Sequence, residues 1–280
     1  MRFFRPAFGI AVAAASAWAG LSGVAHAAST VSLLPHRAVY DLSLDRADEK
    51  SGITGLTGRM VYEFNGSACE GYTTNFRFVT RIDMEEQPQR VTDQQTTTFE
   101  DGDGKLFRFV NKTFVDKELI KEVRGDAKVD GGKTIVDIAK PKENKLDLSV
   151  TQFPTQHMEE LIRKAESGEK FYQTTLYDAS EDADRVVATT VVVGKAQNKS
   201  DEEKSVLGKL SKDQVWPVTI AYFDDKEKQD GMPIYRINFK LHPNGITRDL
   251  TMDYGDFSVR GKLVKLDLFD KDKKMEACGK

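Results

Sequence analysis

Period-two alternation of β-branched and aromatic residues with polar ones dominates the chain and restricts it to a strand-built fold. The pattern runs through AVYDLSL, GRMVYEF, TTNFRFVTRI, KLFRFVNKTF, KTIVDI, KFYQTTLY, RVVATTVVV, VWPVTIAYF, IYRINFKL, ITRDLTMDY and SVRGKLVKLDL. Between these stretches stand Asn65-Gly66, Asp101-Gly102, Asp103-Gly104, Asp130-Gly131, Asp230-Gly231 and Asn244-Gly245. Such dipeptides tolerate the positive φ angles of two-residue hairpin turns. The expected fold is mainly β, a long antiparallel meander, and a sheet of ten or more strands has to curl.

One segment has a different period. In FPTQHMEELIRKAESG, Met158, Leu161, Ile162 and Ala165 fall at i, i+3, i+4 and i+7 and make one apolar stripe. Thr155 suits an N-cap and Gly168 a C-terminal stop. A lone amphipathic helix must lay its stripe on something apolar, and the concave face of the curled sheet is the available surface. The charged stretch between Gly194 and Asp213 has room for a short second helix.

The N-terminus reads as an export signal. Arg2 and Arg5 precede the apolar run IAVAAASAWAGLSGVA, which ends in Ala25-His26-Ala27, the three-part pattern of a secretory signal peptide. Cleavage is expected after Ala27, leaving residues 28–280 as a single domain, and no cysteine follows the site to receive a lipid. The expected destination is the periplasm of a Gram-negative cell. No later segment is apolar enough to span a bilayer. Losing Arg2 and Arg5 takes the formal charge from -3 to -5, which excludes a generic nucleic-acid binder with its basic balance.

Only two cysteines are present, Cys69 and Cys278. In an oxidising compartment the favoured arrangement is one disulfide between them. It would span the 209 positions from 69 to 278 and, in the chain-entropy model, stabilise by up to about 5 kcal/mol. A redox-active pair would call for a CxxC spacing, and none exists.

Catalytic and metal-binding patterns are missing. There is no GxSxG and no HExxH. Ser167-Gly168-Glu169-Lys170 fits the SxxK spacing of penicillin-binding proteins but lacks the SDN and KTG elements and falls at the end of the helix. After cleavage His36, His157 and His242 remain, none within metal-ligand spacing of another. His157 reads as a hydrogen-bonded structural residue. DGDGK at 101–105 departs from a calcium loop and reads as a turn. Gly52, Gly55 and Gly58 lack the GK[ST] of a phosphate loop and read as relief for a bent strand. Glu85-Glu86 and Asp224-Asp225 read as loop acids. No cofactor is expected and the chain is not read as an enzyme. The concave face, with 16 Phe, 8 Tyr and 7 Met in the chain to line it, is either a filled core or a groove for an apolar, lipid-like ligand.

GRMVYEFNGSACEGY, preceded by YDLSL at 40–44, followed by FPTQH at 153–157 and closed by MDYGDFSVRGKL and Cys278, resembles the EipB family of cell-envelope integrity proteins. The resemblance extends over the whole chain and rests on the order of short motifs and the placement of two cysteines. It implies a β-spiral, a broken barrel of antiparallel strands around a helix, similar to lipoprotein carriers. It also implies a disulfide at Cys69 and Cys278, a periplasmic role in envelope integrity and antibiotic tolerance, and cooperation with a periplasmic tetratricopeptide-repeat protein. It brings no catalytic residue. Three functions follow: a groove for an apolar ligand, a scaffold docking the repeat protein, and, least favoured, a hydrolase of envelope polymers.

Overall fold

The strands follow from the alternation, and they are long. A computed structural model describes residues 31–198, 203–224 and 231–269, all within one compact unit that begins at Val31. The first eight strands are β1 (His36–Ala47), β2 (Ile53–Ser67), β3 (Gly71–Met84), β4 (Arg90–Glu100), β5 (Leu106–Val115), β6 (Glu118–Asp130), β7 (Lys133–Lys140) and β8 (Asn144–Ser149). The helix α1 (Pro154–Ser167) follows, then β9 (Phe171–Leu176), β10 (Val187–Val193) and the two-residue β11 (Gln197–Asn198). One turn of helix, α2 (Lys204–Leu207), leads to β12 (Gln214–Phe223), β13 (Tyr235–Leu241), β14 (Thr247–Asp253) and β15 (Phe257–Leu268).

All the strands join one antiparallel sheet in the order β8-β7-β6-β5-β4-β3-β2-β1-β15-β14-β13-β12-β10-β9, with β11 beside β12. The meander is therefore two runs joined where the first and last strands pair, His36 opposite Leu268 and Ala47 opposite Phe257. Its two outer edges, β8 and β9, are the strands that flank α1 in sequence. No ladder closes them onto each other. The segment leading into α1 only touches β9, Gln152 bridging to Leu176 in parallel while the Tyr177 N–H donates to the Gln152 carbonyl at 2.9 Å. The result is a curled, open barrel.

Two apolar clusters fill it. Leu161 and Ile162 of α1 are fully buried, and Ala165 is nearly so; they pack with Tyr40, Phe78, Trp216, Leu241 and Leu263 from the sheet's inner face. Burying two such side chains is worth roughly 1.5–3 kcal/mol each. A second cluster, Phe107, Phe109, Phe153 and Tyr177, brings β5 into ring contact with the residue before α1 and the residue after β9, at centroid separations of 5.2–6.4 Å. The loop after β9 lies over this cluster: Tyr177 donates to the Ala183 carbonyl at 3.0 Å, and Asn111 donates to the Ala179 carbonyl at 2.7 Å. Side chains and this loop thus connect the two halves that the strands leave apart.

The turns only partly follow the expected dipeptides. Asn65-Gly66 lies within β2, where Asn65 faces Thr73 and Gly66 faces Tyr72, and the chain reverses at Ala68-Cys69-Glu70 instead. Cys69 therefore sits at a hairpin tip. Asp130 ends β6, and the turn is Gly131-Gly132, both with positive φ. Asp116-Lys117 takes the same two positive φ values without a glycine, helped by Asp116, whose carboxylate accepts the Val91 N–H at 3.0 Å. DGDGK is a turn in which the Asp101 carboxylate accepts the Lys105 and Leu106 N–H groups at 2.7 and 2.9 Å. Gly58 is required by close approach, since a Cβ there would sit 2.2 Å from the Val79 carbonyl oxygen, and the register with β3 shifts between Ile53 and Gly55.

Candidate functional site

The site begins at the N-terminus of α1. Pro154 occupies the first helical position, where its fixed φ helps and its missing N–H costs nothing. Phe153, not Thr155, is the N-cap, and its N–H donates to the Gln156 side-chain oxygen at 3.3 Å. Thr155 lies inside the first turn and has another task. Its N–H donates to both carboxylate oxygens of Glu100 at 3.0 and 2.9 Å, and its hydroxyl donates to one of them at 2.7 Å. A buried carboxylate from the end of β4 thus receives the exposed donors and positive pole of the helix. Burial nevertheless dominates and pushes the Glu100 carboxyl up to about 7, against the pull of the two kinds of Thr155 bond. Glu100 shares the inner face of β4 with Thr96 and Thr98.

Above this contact opens a cavity of about 400 Å³. Met60, Phe64, Phe76, Met158, Ile220 and Phe239 supply its apolar wall. His36, His157, Tyr40, Tyr62, Tyr222 and Tyr235 supply polar atoms set in apolar rings. Tyr40 donates to the Thr247 carbonyl at 2.6 Å. His36 Nδ1 lies 2.7 Å from the Leu34 carbonyl oxygen, which only accepts, so that nitrogen carries the proton and Nε2 is left as an acceptor. Burial holds both imidazoles below the ordinary histidine range, so they are neutral at pH 7. His157 Nε2 is buried with no partner among the described residues. Among the described residues Asp178 is the one carboxylate that lines the cavity, and no Lys or Arg does. Burial first, and the Asp178 carboxylate second, push the Tyr222 hydroxyl up.

An aromatic ladder leads out along the same inner face. Tyr222 and Tyr235 are 5.4 Å apart, Tyr235 and Tyr254 5.0 Å, and Tyr254 and Phe257 4.9 Å between ring centroids. Tyr254 is 40% exposed, so the ladder connects the cavity wall to solvent.

The helix stripe divides its work. Met158 faces the cavity, whereas Leu161, Ile162 and Ala165 enter the core. His36 and His157, 121 positions apart in sequence, meet at the cavity. His242 does not; it accepts from Arg248 Nε at 3.3 Å, beside the buried Arg248–Glu203 ion pair of 3.0 Å. Ser167 donates to the Lys164 carbonyl, and Lys170 Nζ reaches the Gly194 carbonyl at 3.4 Å, so the SxxK residues form no nucleophile–base pair. Asp224 pairs with Arg185, Glu85 and Glu86 are not buried, and Asp225 lies outside the described residues. Cys69 is not a free thiol; Cys278 lies outside the described residues. Among the described residues no group of three His, Cys, Asp or Glu stands ready for a metal ion, and no helix is long and apolar enough to cross a membrane.

A larger depression of about 1100 Å³ lies on the outer face of β4–β7 and the loop to β8. Arg108, Arg124, Asp126, Asp137, Lys140 and Lys145 line it, with Phe99, Val110 and Ala139 between them, a surface of mixed charge and apolar patches.

The inner cavity was not legible in the sequence as a place. Glu100 gave no signal, because an acid at the end of a threonine-rich strand reads as surface. A cue did exist in retrospect: Thr96, Thr98 and Glu100 keep the period-two spacing of an inner face.

The chain is similar to proteins of a known family. The EipB-like family model matches residues 27–270. The cell envelope integrity protein EipB of Brucella abortus (strain 2308) is 78% identical over 280 residues, covering all of both chains. A crystal structure of a beta-barrel-like protein of a domain of unknown function from Brucella abortus superposes with a TM-score of 0.85 at 83% identity, covering 86% of this chain and all of that one. The chain belongs to the EipB-like family.

Proposed function

We propose that this chain is a non-enzymatic factor of the cell envelope, exported to the periplasm by its N-terminal signal, that supports envelope integrity by holding an apolar ligand inside the curled sheet. The observation that carries this reading is the cavity at the head of α1, which has the size and the mostly apolar wall of a small-molecule pocket. The 78% identical relative bears the name of an envelope integrity protein, and that supports the envelope part.

The test is a blocked cavity. Ile237→Trp places a large ring in the half-buried wall, and the variant is checked for an unchanged melting temperature. It is expected to lose binding of the uncharged probe N-phenyl-1-naphthylamine and to fail to restore detergent resistance to cells lacking the protein. Full restoration by a folded, blocked variant would overturn the ligand reading.

A scaffold reading remains the alternative, because β8 is a sheet edge paired on one side only and edge strands accept extended segments of partners. Crosslinking in cells to a periplasmic tetratricopeptide-repeat protein that persists in Ile237→Trp favours it.

A further inference from the structure

We propose that the ligand of this cavity is a single-chain amphiphile whose polar end carries hydrogen-bond donors and no negative charge, and that this end lies beside Asp178 and Tyr222. The inference rests on the ligand reading above and adds the chemical class.

Size limits the ligand first. About 400 Å³ lies near the low end of small-ligand pockets, which run from roughly 300 to 1,000 Å³. That suits one hydrocarbon chain better than two. The apolar wall of Met60, Phe64, Met158, Ile220 and Phe239 gives that chain a dry surface.

Charge selects the polar end. An anion moved into a low-dielectric site needs a counter-charge or several donors. Among the described residues this wall has neither a Lys nor an Arg, and both its histidines are neutral. It does have a carboxylate at Asp178 and a second, at Glu100, directly behind the lining residues Thr98 and Thr155. The donors that Thr155 could offer are already spent on Glu100. A carboxylate or phosphate head would meet the like charge of Asp178 and, above pH 7, that of Glu100 behind the wall.

Hydrogen-bonding capacity points the same way. The proton on His36 Nδ1 faces Leu34, which leaves the Nε2 lone pair. One oxygen of Asp178 accepts the Ser180 N–H at 2.8 Å, and a carboxylate has lone pairs for further donors. Beside the tyrosine hydroxyls, which can donate or accept, the site thus offers the carboxylate and imidazole acceptors, and hydroxyl, amide or ammonium heads satisfy them.

Displacement of bound N-phenyl-1-naphthylamine tests the class with matched twelve-carbon ligands at pH 8, below their micelle concentrations. Monolauroylglycerol and dodecylamine should displace the probe at concentrations at least tenfold lower than laurate or dodecyl sulfate. Asp178→Asn should shrink the ratio between dodecylamine and laurate, and Asp178→Lys should bring laurate level with the amine or ahead of it. Laurate displacing as well as the glycerol ester from the unaltered protein would overturn the inference while leaving the ligand reading intact. Failure of the probe itself to bind would remove both.

Discussion

Glu100 at the end of β4 and Thr155 in the first turn of α1 form a buried three-bond contact, the carboxylate accepting from the Thr155 N–H and hydroxyl at 2.7–3.0 Å. It fixes the helix that carries the core stripe against the strand that lines the cavity. Its carboxyl stands at about 7 in the folded chain against 4.5 for a free glutamic acid. The folded state therefore binds more protons than the unfolded one between those values. Its stability contribution is fully present below 4.5 and falls as pH rises through 7, by an amount on the order of 3 kcal/mol. Glu100→Gln removes this term. The variant should gain on the parent protein as pH rises from 5 to 8 in urea denaturation. His36, His157 and His242, all held below their ordinary range, make stability rise with pH up to 6.5, but they act in both proteins and cancel in the difference. A difference independent of pH would show that Glu100 ionises normally.

Arg248 and Glu203 form an ion pair with side chains only 3% and 7% exposed, at 3.0 Å. Removing the cation leaves a buried carboxylate without its partner, which costs about 3–5 kcal/mol. Arg248→Met should lower stability by that amount. The double variant Arg248→Met, Glu203→Met should recover much of it, because two apolar side chains leave no orphaned charge. Chemical denaturation of the three variants measures the coupling.

Gly102 packs the β4–β5 turn against the turn that carries Cys69. A Cβ at this position would lie 1.6 Å from the Ala68 carbonyl oxygen, so one turn has to move. Gly102→Ala should cost about 1–3 kcal/mol, as overpacking does, and should lower the melting temperature. No change would mean that the two turns part freely.

Cys69 at the tip of the β2–β3 hairpin is paired, on our proposal, with Cys278. Cys278→Ser should then lower the melting temperature in oxidising buffer and match the parent protein once both are reduced. The loss has an upper value of about 5 kcal/mol from the 209-position closure. Equal melting in oxidising buffer would exclude the bridge.

The alternation located the strands whose inner faces are apolar, such as β1, β3, β10 and β13. It passed over β4, β6, β8 and the two-residue β11. On β4 the inward residues near the cavity are Thr96, Thr98 and Glu100, which are polar because they face the cavity and the helix end. On β6 the inward Gly125 and Ala127 are small; a Cβ at 125 would come within 2.9 Å of the Phe109 ring. β8 is an edge with little buried surface. The Asn65-Gly66 dipeptide misplaced a turn because Gly66 is needed within the ladder, where its φ is 118° and a Cβ would meet the Gly71 carbonyl oxygen at 2.1 Å.

The sequence by itself determined a long antiparallel sheet and one helix with an apolar stripe. Those are local periodicities, two residues for a pleat and 3.6 for a helix, and each is written in neighbouring side chains. Only the tertiary structure decided that β1 meets β15, that the edges β8 and β9 stay unjoined, and that His36, His157 and Asp178 share one cavity with Glu100 behind it. These contacts join residues far apart in the chain, so their chemistry depends on which strands the curled sheet brings face to face.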